Sequence, residues 1–239
     1  MHVPGAPMLL ANAWDPASAR LVREAGLSAV ATSSAAVAAV SGYEDGSRMP
    51  AAVALAAVAR IAAAVDLPVT ADLEDGYGLG PDQLVTGLIE AGACGLNLED
   101  SDHRRGGLVD AGAQAERIAA IKAAARAAGV DLVLNARVDV HLRGLPLAEG
   151  LERALRYREA GADCLYPIML GDPGALREYA AIGPVNALYR PGSPPLRALA
   201  EAGVSRISLG SGLFRLAMAR ARAAARALAR GDDADVWDR

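Results

Sequence analysis

The sequence predicts an α/β protein with a (β/α)8 TIM-barrel fold, formed by a single domain over residues 1–239 with its active site at the C-terminal ends of the strands. Short, almost continuous apolar runs alternate with helical patterns along the chain, and such runs are typical of parallel strands covered on both faces. Eight strand–helix units fit into the 239 residues, which matches a compact barrel. An open, doubly wound sheet is the alternative. It usually has fewer strands at this length, and no Gly-x-Gly-x-x-Gly motif follows the first strand.

The order of the elements follows from the apolar runs and from the points where the helices stop. Five helices end at an Ala-Gly pair, in which glycine supplies the left-handed cap residue; the pairs are at 25–26, 91–92, 128–129, 160–161 and 202–203. The strands are expected at 8–14, 28–34, 68–74, 95–100, 131–139, 163–170, 184–190 and 206–210. The helices are expected at 16–25, 51–65, 81–91, 112–128, 147–160, 173–181, 194–202 and 213–229.

Composition argues against several classes of function. The formal net charge is −4 and the pI is near 5.4, so overall charge indicates binding neither to nucleic acid nor to an anionic membrane. No apolar run reaches the ~20 residues that span a bilayer, and the N-terminus lacks the pattern of a signal peptide. Cys94 and Cys164 are the only cysteines and are expected to be buried, inert thiols. We therefore expect a cytoplasmic protein.

Lysine-dependent chemistry is also set aside. Lys122 is the only lysine, and it lies in the middle of a helical pattern. A Schiff-base lysine at the end of a strand is therefore not available.

Acidic residues cluster where the third and fourth strands end. Asp72 and Glu74 close the third strand, and because strand side chains alternate between faces, they are expected to point the same way. Two carboxylates on one face are costly to bury unless a cation or a shared proton compensates. Glu99 ends the fourth strand similarly, so this edge predicts a divalent-metal site. Helix capping or pairing with arginines is the simpler alternative for Asp72 and Glu74.

Further candidate site residues also lie at strand ends, whereas the strand starts read as apolar or small. Such an asymmetry predicts an active site at the C-terminal ends of the strands. Arg137 is expected on the inner face, where an arginine near a metal binds a substrate carboxylate or stabilises an oxyanion; a structural ion pair is the alternative. The remaining candidates are Asn12, Trp14, Ser33, Ser34, Ala35, Ala36, Asn97, Asn135, Asn186 and Arg190.

Some of the neighbouring residues have a simpler structural interpretation. For Asp15, a helix N-cap and a site residue are equally good interpretations. For Asp139, a direct role in the site and a role in supporting other site residues are equally good. Asp75 is expected to support its turn, and His141 to be a solvated loop histidine. Residues 210–212 read Gly-Ser-Gly before a helix; they could hold a phosphate, but close packing of strand and helix is the preferred interpretation.

Together, these motifs resemble those of the isocitrate lyase/phosphoenolpyruvate mutase superfamily. The resemblance runs from about Leu10 to Arg220 and is carried by the segments 12–15, 32–36, 41–46, 72–78, 97–101 and 135–137. It implies a barrel whose last helix is often swapped between the subunits of a homodimer or homotetramer. It also implies Mg²⁺, with Mn²⁺ able to substitute, held directly or through water by Asp72, Glu74 and Glu99, with Asp45 nearby.

The resemblance further implies a function and a substrate site. The expected reaction is a Mg²⁺-dependent cleavage of a C–C bond in a small 2-hydroxy or 2-oxo carboxylate, through an enolate stabilised by the metal and Arg137. Arg137, Glu99 and Asp45 are the catalytic residues expected on this basis, and His103 is added because of its position in the loop after the fourth strand. The backbone at Ser34, Ala35 and Ala36 is expected to hold a substrate carboxylate, and the rest of the substrate site is assigned to Trp14, Asn186 and Arg137.

The loop after the fourth strand departs from the superfamily pattern. Carbon–carbon lyases carry a Lys-x-Cys-Gly-His type motif there and phosphonate enzymes carry lysines, but residues 100–107 read Asp-Ser-Asp-His-Arg-Arg-Gly-Gly. His103, Arg104 or Arg105 could act from this loop as a proton donor or clamp; on this hypothesis, His103→Ala lowers turnover and leaves metal affinity intact. The alternative functions are a C–P bond enzyme of the phosphoenolpyruvate mutase or phosphonopyruvate hydrolase type and a non-catalytic carboxylate-binding barrel.

Overall fold

Eight parallel strands form the centre of the molecule, for which a computed structural model describes residues 2–232 and Val236. Their order in the sheet is β6-β5-β4-β3-β2-β1-β8-β7, and a parallel bridge between Leu165 and Val185 joins β6 to the start of β7. The sheet therefore closes into a (β/α)8 barrel, which confirms the predicted fold class. The strands are β1 (Met8–Ala13), β2 (Val30–Thr32), β3 (Val69–Asp72), β4 (Gly95–Leu98), β5 (Val133–Val138), β6 (Cys164–Pro167), β7 (Asn186–Leu188) and β8 (Arg206–Ser208).

The helices lie outside this barrel, and the described residues form nine of them. Each of the eight predicted helices is present, with ends that differ by a few residues. None of the described helices combines the length and apolar character needed to cross a bilayer. The helices are α1 (Pro16–Glu24), α2 (Ser34–Val40), α3 (Ala51–Ala62), α4 (Pro81–Glu90), α5 (Ala111–Ala127), α6 (Leu147–Glu159), α7 (Pro173–Ile182), α8 (Leu196–Glu201) and α9 (Gly212–Ala229).

One helix, α2, is absent from the sequence prediction. Ser33 is its N-cap residue, and the Ser33 hydroxyl accepts a hydrogen bond from the backbone N–H of Ala36 at 3.4 Å. This cap stops β2 at Thr32, so the strand predicted at 28–34 is too long. The early stop places the start of α2 at the mouth of the barrel.

Alternation along the strands separates an apolar outer layer from a polar barrel interior. On β4, Leu96 and Leu98 are fully buried in the apolar layer. Asn97, between them, accepts hydrogen bonds from Asn135 Nδ2 at 2.8 Å and from Arg206 Nη2 at 3.3 Å. Arg206 is the first residue of β8 and is only 1% exposed. The prediction that strand starts hold only apolar or small residues is therefore wrong at β8.

The last helix, α9, leaves much of its apolar surface uncovered. Leu216 and Leu228 are 68% and 66% exposed, and Ala227 is the only residue of α9 that is buried. At its start, Phe214 contacts Trp14 edge to face, with 5.3 Å between the ring centroids. Exposed apolar side chains mark protein–protein contacts where they form a patch, and those of α9 occur along most of its length.

Candidate active site

A polar cavity of about 410 Å³ opens at the C-terminal ends of the strands. Carboxylates, guanidinium groups and hydroxyl groups all face it, which is the setting for catalysis in barrels of this type. Among the predicted residues, those that line the cavity are Asn12, Ser33, Ser34, Ala35, Asp45, Asp72, Asn97, Arg137 and Arg190.

Asp72, the last residue of β3, is held by the start of α2. Its Oδ2 accepts hydrogen bonds from the backbone N–H of Ser34 at 3.1 Å and from the Ser34 hydroxyl at 2.9 Å. Its Oδ1 is buried without a hydrogen-bond partner. A buried carboxylate oxygen with no donor nearby is costly, so this atom fits a site that receives a cation.

Glu74 reaches the site from a turn and not from a strand. β3 ends at Asp72, and Glu74 has a left-handed backbone with φ of 51°, which an L residue adopts only where its surroundings enforce it. The predicted strand 68–74, and the alternation argument that used it, are therefore wrong at this position. The Glu74 carboxylate accepts hydrogen bonds from the Tyr77 hydroxyl at 2.9 Å and from the backbone N–H of Ser47.

Glu99 follows β4 and is 3% exposed. One of its oxygens contacts Arg137 Nη1 and the other contacts His103 Nε2. Burial raises the pKa of Glu99 to about 7, although both of these neighbours act in the opposite direction. The hydrogen bond to Glu99 in turn raises the pKa of His103.

Glu74, Glu99 and His103 form a compact group whose potential ligand atoms all lie within 4.8 Å of one another. Burial raises the pKa of Glu74, and Asp45 raises it further. Burial and the charge of Asp72 likewise raise the pKa of Asp45 at the rim of the cavity. The carboxylates of Asp45, Glu74 and Glu99, whose pKa values are raised, together with the orphaned oxygen of Asp72, form a donor set that fits a hard divalent cation.

Three residues predicted to bind substrate do not line this cavity. Trp14 lines a separate apolar cavity between α1 and α9. Ala36 is fully buried behind the Ser33 cap. Asn186 is also fully buried, and its Nδ2 donates to the Ser208 hydroxyl at 3.1 Å inside the barrel.

The structure also decides several open structural interpretations. Asp15 is an N-cap, since Oδ1 accepts the N–H of Ser18 at 2.7 Å, and Asp75 supports its turn by accepting the N–H of Tyr77 at 2.9 Å. The interpretation of His141 as a solvated histidine is wrong, because it is partly buried and its Nε2 lies 2.8 Å from the Tyr179 hydroxyl. Cys164 is buried as predicted, but Cys94 is exposed.

Sequence reasoning missed some residues that shape the site. Ser47 and Tyr77 hold Glu74, and no pattern at strand ends points to either of them. Arg215, in the first turn of α9, lines the cavity together with Ser211 of the Gly-Ser-Gly segment. Its Nη1 donates to the Ser211 hydroxyl at 2.7 Å. Together with Arg190, it adds positive charge on the side of the cavity that β7 and β8 form.

Comparison with known proteins places this site in a family. The family model for phosphoenolpyruvate phosphomutase matches residues 1–229. The uncharacterized protein Rv1998c of Mycobacterium tuberculosis (strain H37Rv) is 34% identical over 236 residues, which cover 97% of this chain and 88% of that protein. The 2-methylisocitrate lyase of Bacillus subtilis is 32% identical over 190 residues, which cover 74% of this chain and 60% of that protein.

A solved structure agrees with these matches. A protein from Burkholderia cenocepacia J2315, provisionally assigned as a phosphonomutase, is 43% identical and superposes with a TM-score of 0.88, covering 94% of this chain and 96% of the other. This chain therefore belongs to the phosphoenolpyruvate phosphomutase family within the isocitrate lyase/phosphoenolpyruvate mutase superfamily, and its relatives include proteins named as enzymes of that superfamily.

Proposed function

We propose that the protein is a metal-dependent lyase that cleaves a C–C bond in a small 2-hydroxy or 2-oxo dicarboxylate. The observation that carries this proposal is the position of Arg137, which lines the cavity together with Asp72 and contacts Glu99. Glu99 in turn lies close to Glu74. Relatives named as C–C lyases support the reaction class, since one is called a 2-methylisocitrate lyase and another, of known structure, a 2,3-dimethylmalate lyase.

The bound ion is proposed to be Mg²⁺ or Mn²⁺, held by Asp72, Glu74 and Glu99 with Asp45 nearby. The orphaned Oδ1 of Asp72 is the observation on which this fit rests. When bound, such an ion would supply positive charge for the oxygens of a 2-oxo acid.

Arg137 is proposed to stabilise the negative charge that the reaction creates. In a 2-hydroxy substrate, a base removes the hydroxyl proton, the C2–O bond becomes the carbonyl of the released 2-oxo acid, and the C2–C3 bond breaks. Its electron pair stays on the other fragment as the enolate of a carboxylate, and a proton then completes that product. A guanidinium group fixed before the reaction stabilises such charge without reorganising. Glu99 and Asp139 hold Arg137 in place, and its side chain is only 12% exposed.

The substrate carboxylates are proposed to bind at two places in the cavity. Ser34 and Ala35 line it at the start of α2. Because the Ser34 N–H already donates to Asp72, the N–H of Ala35, which has no partner within the helix, is the donor proposed for the first carboxylate. Arg190, after β7, and Arg215, after β8, also line the cavity, and guanidinium groups suit a second carboxylate. Two such places favour a dicarboxylate over a monocarboxylate.

A C–P bond enzyme is the second candidate function. The named phosphoenolpyruvate phosphomutase of Tetrahymena pyriformis, 30% identical over 163 residues, supports it, and Arg190 and Arg215 are also suited to a phosphonate. The absence of lysine from the loop at 100–107 argues against it. A non-catalytic barrel is the third candidate, but binding alone rarely needs so many converging acids.

The protein is further proposed to act in the cytoplasm as a homodimer or homotetramer. The exposed apolar residues of α9 support self-association, since a second copy could cover them. The small carboxylate is its only other proposed partner, and neither nucleic acid nor membrane is expected.

Release of a 2-oxo acid from malate-type substrates tests the leading proposal. A coupled dehydrogenase would follow the release with Mg²⁺, with Mn²⁺ and after chelation. We expect activity that depends on the ion and that Glu99→Gln abolishes, while Glu116→Gln, an exposed glutamate on α5, leaves it unchanged. Conversion of phosphonopyruvate, followed by phosphorus NMR, would support the C–P alternative, and no turnover of either substrate class would support the non-catalytic barrel.

A further inference from the structure

We infer that His103 is a nitrogen ligand of the metal ion, and that the site therefore prefers Mn²⁺ to Mg²⁺. This inference rests on the proposed metal site and assigns it a ligand that the acidic residues alone do not supply. The three residues whose ligand atoms lie within 4.8 Å of one another are Glu74, Glu99 and His103, and this group does not include Asp72.

The position of the imidazole supports the role of ligand. His103 Nε2 contacts Glu99 Oε1 and lies 3.9 Å from Glu74 Oε2. A single nitrogen is thus directed at two carboxylates, both of which are almost completely buried. A cation placed among these three atoms would relieve the repulsion between the carboxylates and would use the lone pair of a neutral imidazole.

The loop fixes His103 in this place by its own hydrogen bonds. Ser101 and Leu108 form an antiparallel bridge that closes the loop. Within it, the Asp102 side chain accepts the N–H groups of Arg104 at 3.0 Å and of Arg105 at 2.9 Å. The following Gly106 donates its N–H to the Asp102 carbonyl at 2.9 Å. The loop is therefore a tight turn that presents its histidine to the acids.

The Nδ1 side of the His103 imidazole packs against the loop after α2, which limits the movement of the ring. A Cβ atom added to Gly46 would lie 3.5 Å from His103 Nδ1, so the ring packs directly over this glycine. The ring is enclosed on one side by Gly46 and directed at Glu99 on the other. Such an enclosure suits a ligand that must keep one orientation.

The chemical consequence is a change in metal preference. Mg²⁺ favours oxygen ligands and retains waters, whereas imidazole suits first-row transition metals. A site that adds one imidazole to its carboxylates is therefore better matched to Mn²⁺ than a site made only of oxygen. A histidine that binds an ion through Nε2 cannot also donate a proton from that atom, so this role competes with the proton-donor hypothesis for His103.

Pulsed electron paramagnetic resonance of the Mn²⁺-loaded protein tests the inference directly. Coordination by imidazole gives a nitrogen hyperfine coupling to the bound Mn²⁺. We expect this coupling in the wild type and in His2→Gln, which changes a histidine at the opposite end of the barrel, and its loss in His103→Gln. Mn²⁺ binding without nitrogen coupling in the wild type would overturn the inference and leave the proposed metal site intact.

Calorimetry with each ion separates the remaining outcomes. Loss of a partner that only supports a ligand typically lowers metal affinity by roughly 10–100-fold, and loss of a direct ligand should cost at least as much. We therefore expect His103→Gln to weaken Mn²⁺ binding by at least about tenfold and Mg²⁺ binding much less. Unchanged Mn²⁺ affinity with reduced turnover would overturn the inference in favour of a proton donor. No uptake of either ion by the wild type would overturn the proposed metal site as well.

Discussion

Arg137 binds the carboxylate of Asp139 through two hydrogen bonds, from Nε at 2.8 Å and from Nη2 at 2.7 Å. Asp139 is itself fully buried, and it also accepts the Ser101 hydroxyl at 2.5 Å. Its backbone N–H donates to Asp100 Oδ1 at 2.8 Å. Asp139 is thus a support that fixes the orientation of Arg137 at the cavity, which decides between the two roles that the sequence left open.

Replacement of Arg137 by methionine should destabilise the protein strongly in the absence of metal. The substitution leaves the buried carboxylates of Glu99 and Asp139 without their cation, and loss of one partner of a buried ion pair costs about 3–5 kcal/mol. Urea unfolding measures the difference. Arg197→Met is the matched control, because the pair with Glu201 is exposed and contributes about 0–1 kcal/mol; equal effects of both substitutions would contradict this account.

Asp139→Asn should lower turnover more than it lowers substrate binding. An asparagine has no negative charge and only one oxygen, so it can no longer accept hydrogen bonds from both Nε and Nη2 of Arg137. A small misplacement of a catalytic group can lower the reaction rate on the order of 10²-fold. We expect a lower kcat with KM changed little, and Arg137→Lys should behave similarly because lysine cannot form the two-point contact. A wild-type kcat in Asp139→Asn would show that Arg137 needs no such support.

Acid should destabilise the wild-type protein through His141. Burial lowers the pKa of His141 below its unfolded value, which is about 6.5. The unfolded chain therefore binds the proton more readily than the folded protein. The stability that neutral His141 allows is fully present above about pH 6.5 and is lost as the pH falls toward the pKa of His141 in the folded protein. Unfolding free energies measured between pH 7 and 5 should fall less steeply for His141→Gln than for the wild type.

Tyr179→Phe provides the control for this prediction. The substitution removes the hydroxyl that lies 2.8 Å from His141 but retains the ring that buries it. Because burial is the cause of the lowered pKa, the acid-dependent loss should remain in this variant. Its disappearance in Tyr179→Phe would instead assign the pH dependence to the hydrogen bond.

Gly95→Ala should destabilise the barrel through a clash within the sheet. An added Cβ would lie 2.7 Å from the Val133 carbonyl oxygen on the neighbouring strand, and such overpacking costs about 1–3 kcal/mol. At Gly171 the nearest atom to an added Cβ is Pro194 Cδ at 3.9 Å. Gly171→Ala should therefore change the free energy of unfolding by less than about 0.5 kcal/mol; equal losses for both variants would contradict the steric argument.

The sequence was sufficient for the barrel and for most of its mouth, because both depend on local patterns. Apolar runs and Ala-Gly stops mark each unit, and the end of each strand in a barrel points to the same face. Asp72, Glu99 and Arg137 could be placed there for that reason alone. The end of β3 could not be predicted in this way. Ser47 and Tyr77 hold Glu74 in a left-handed turn, and the alternation of strand side chains does not predict such a turn.

Contacts between distant parts of the chain account for most of the wrong predictions. His141 is partly buried because Tyr179, 38 residues later, lies beside it. Arg206 is buried in the barrel because Asn97 accepts its hydrogen bond across 109 residues. Trp14 faces α9 and not the polar cavity, since its ring packs on Phe214. None of these pairings leaves a periodic signal in the sequence.

Titration calorimetry with Mn²⁺ and Mg²⁺ tests the central claim, that acids from neighbouring strands hold a divalent ion at the mouth of the barrel. The account predicts uptake of one ion per chain by the wild type, an unchanged result for Asp82→Asn on the exposed side of α4, and a large loss of affinity for Asp72→Asn and Glu99→Gln. Absence of heat with the folded wild-type protein, or equal affinity in all four proteins, would contradict it.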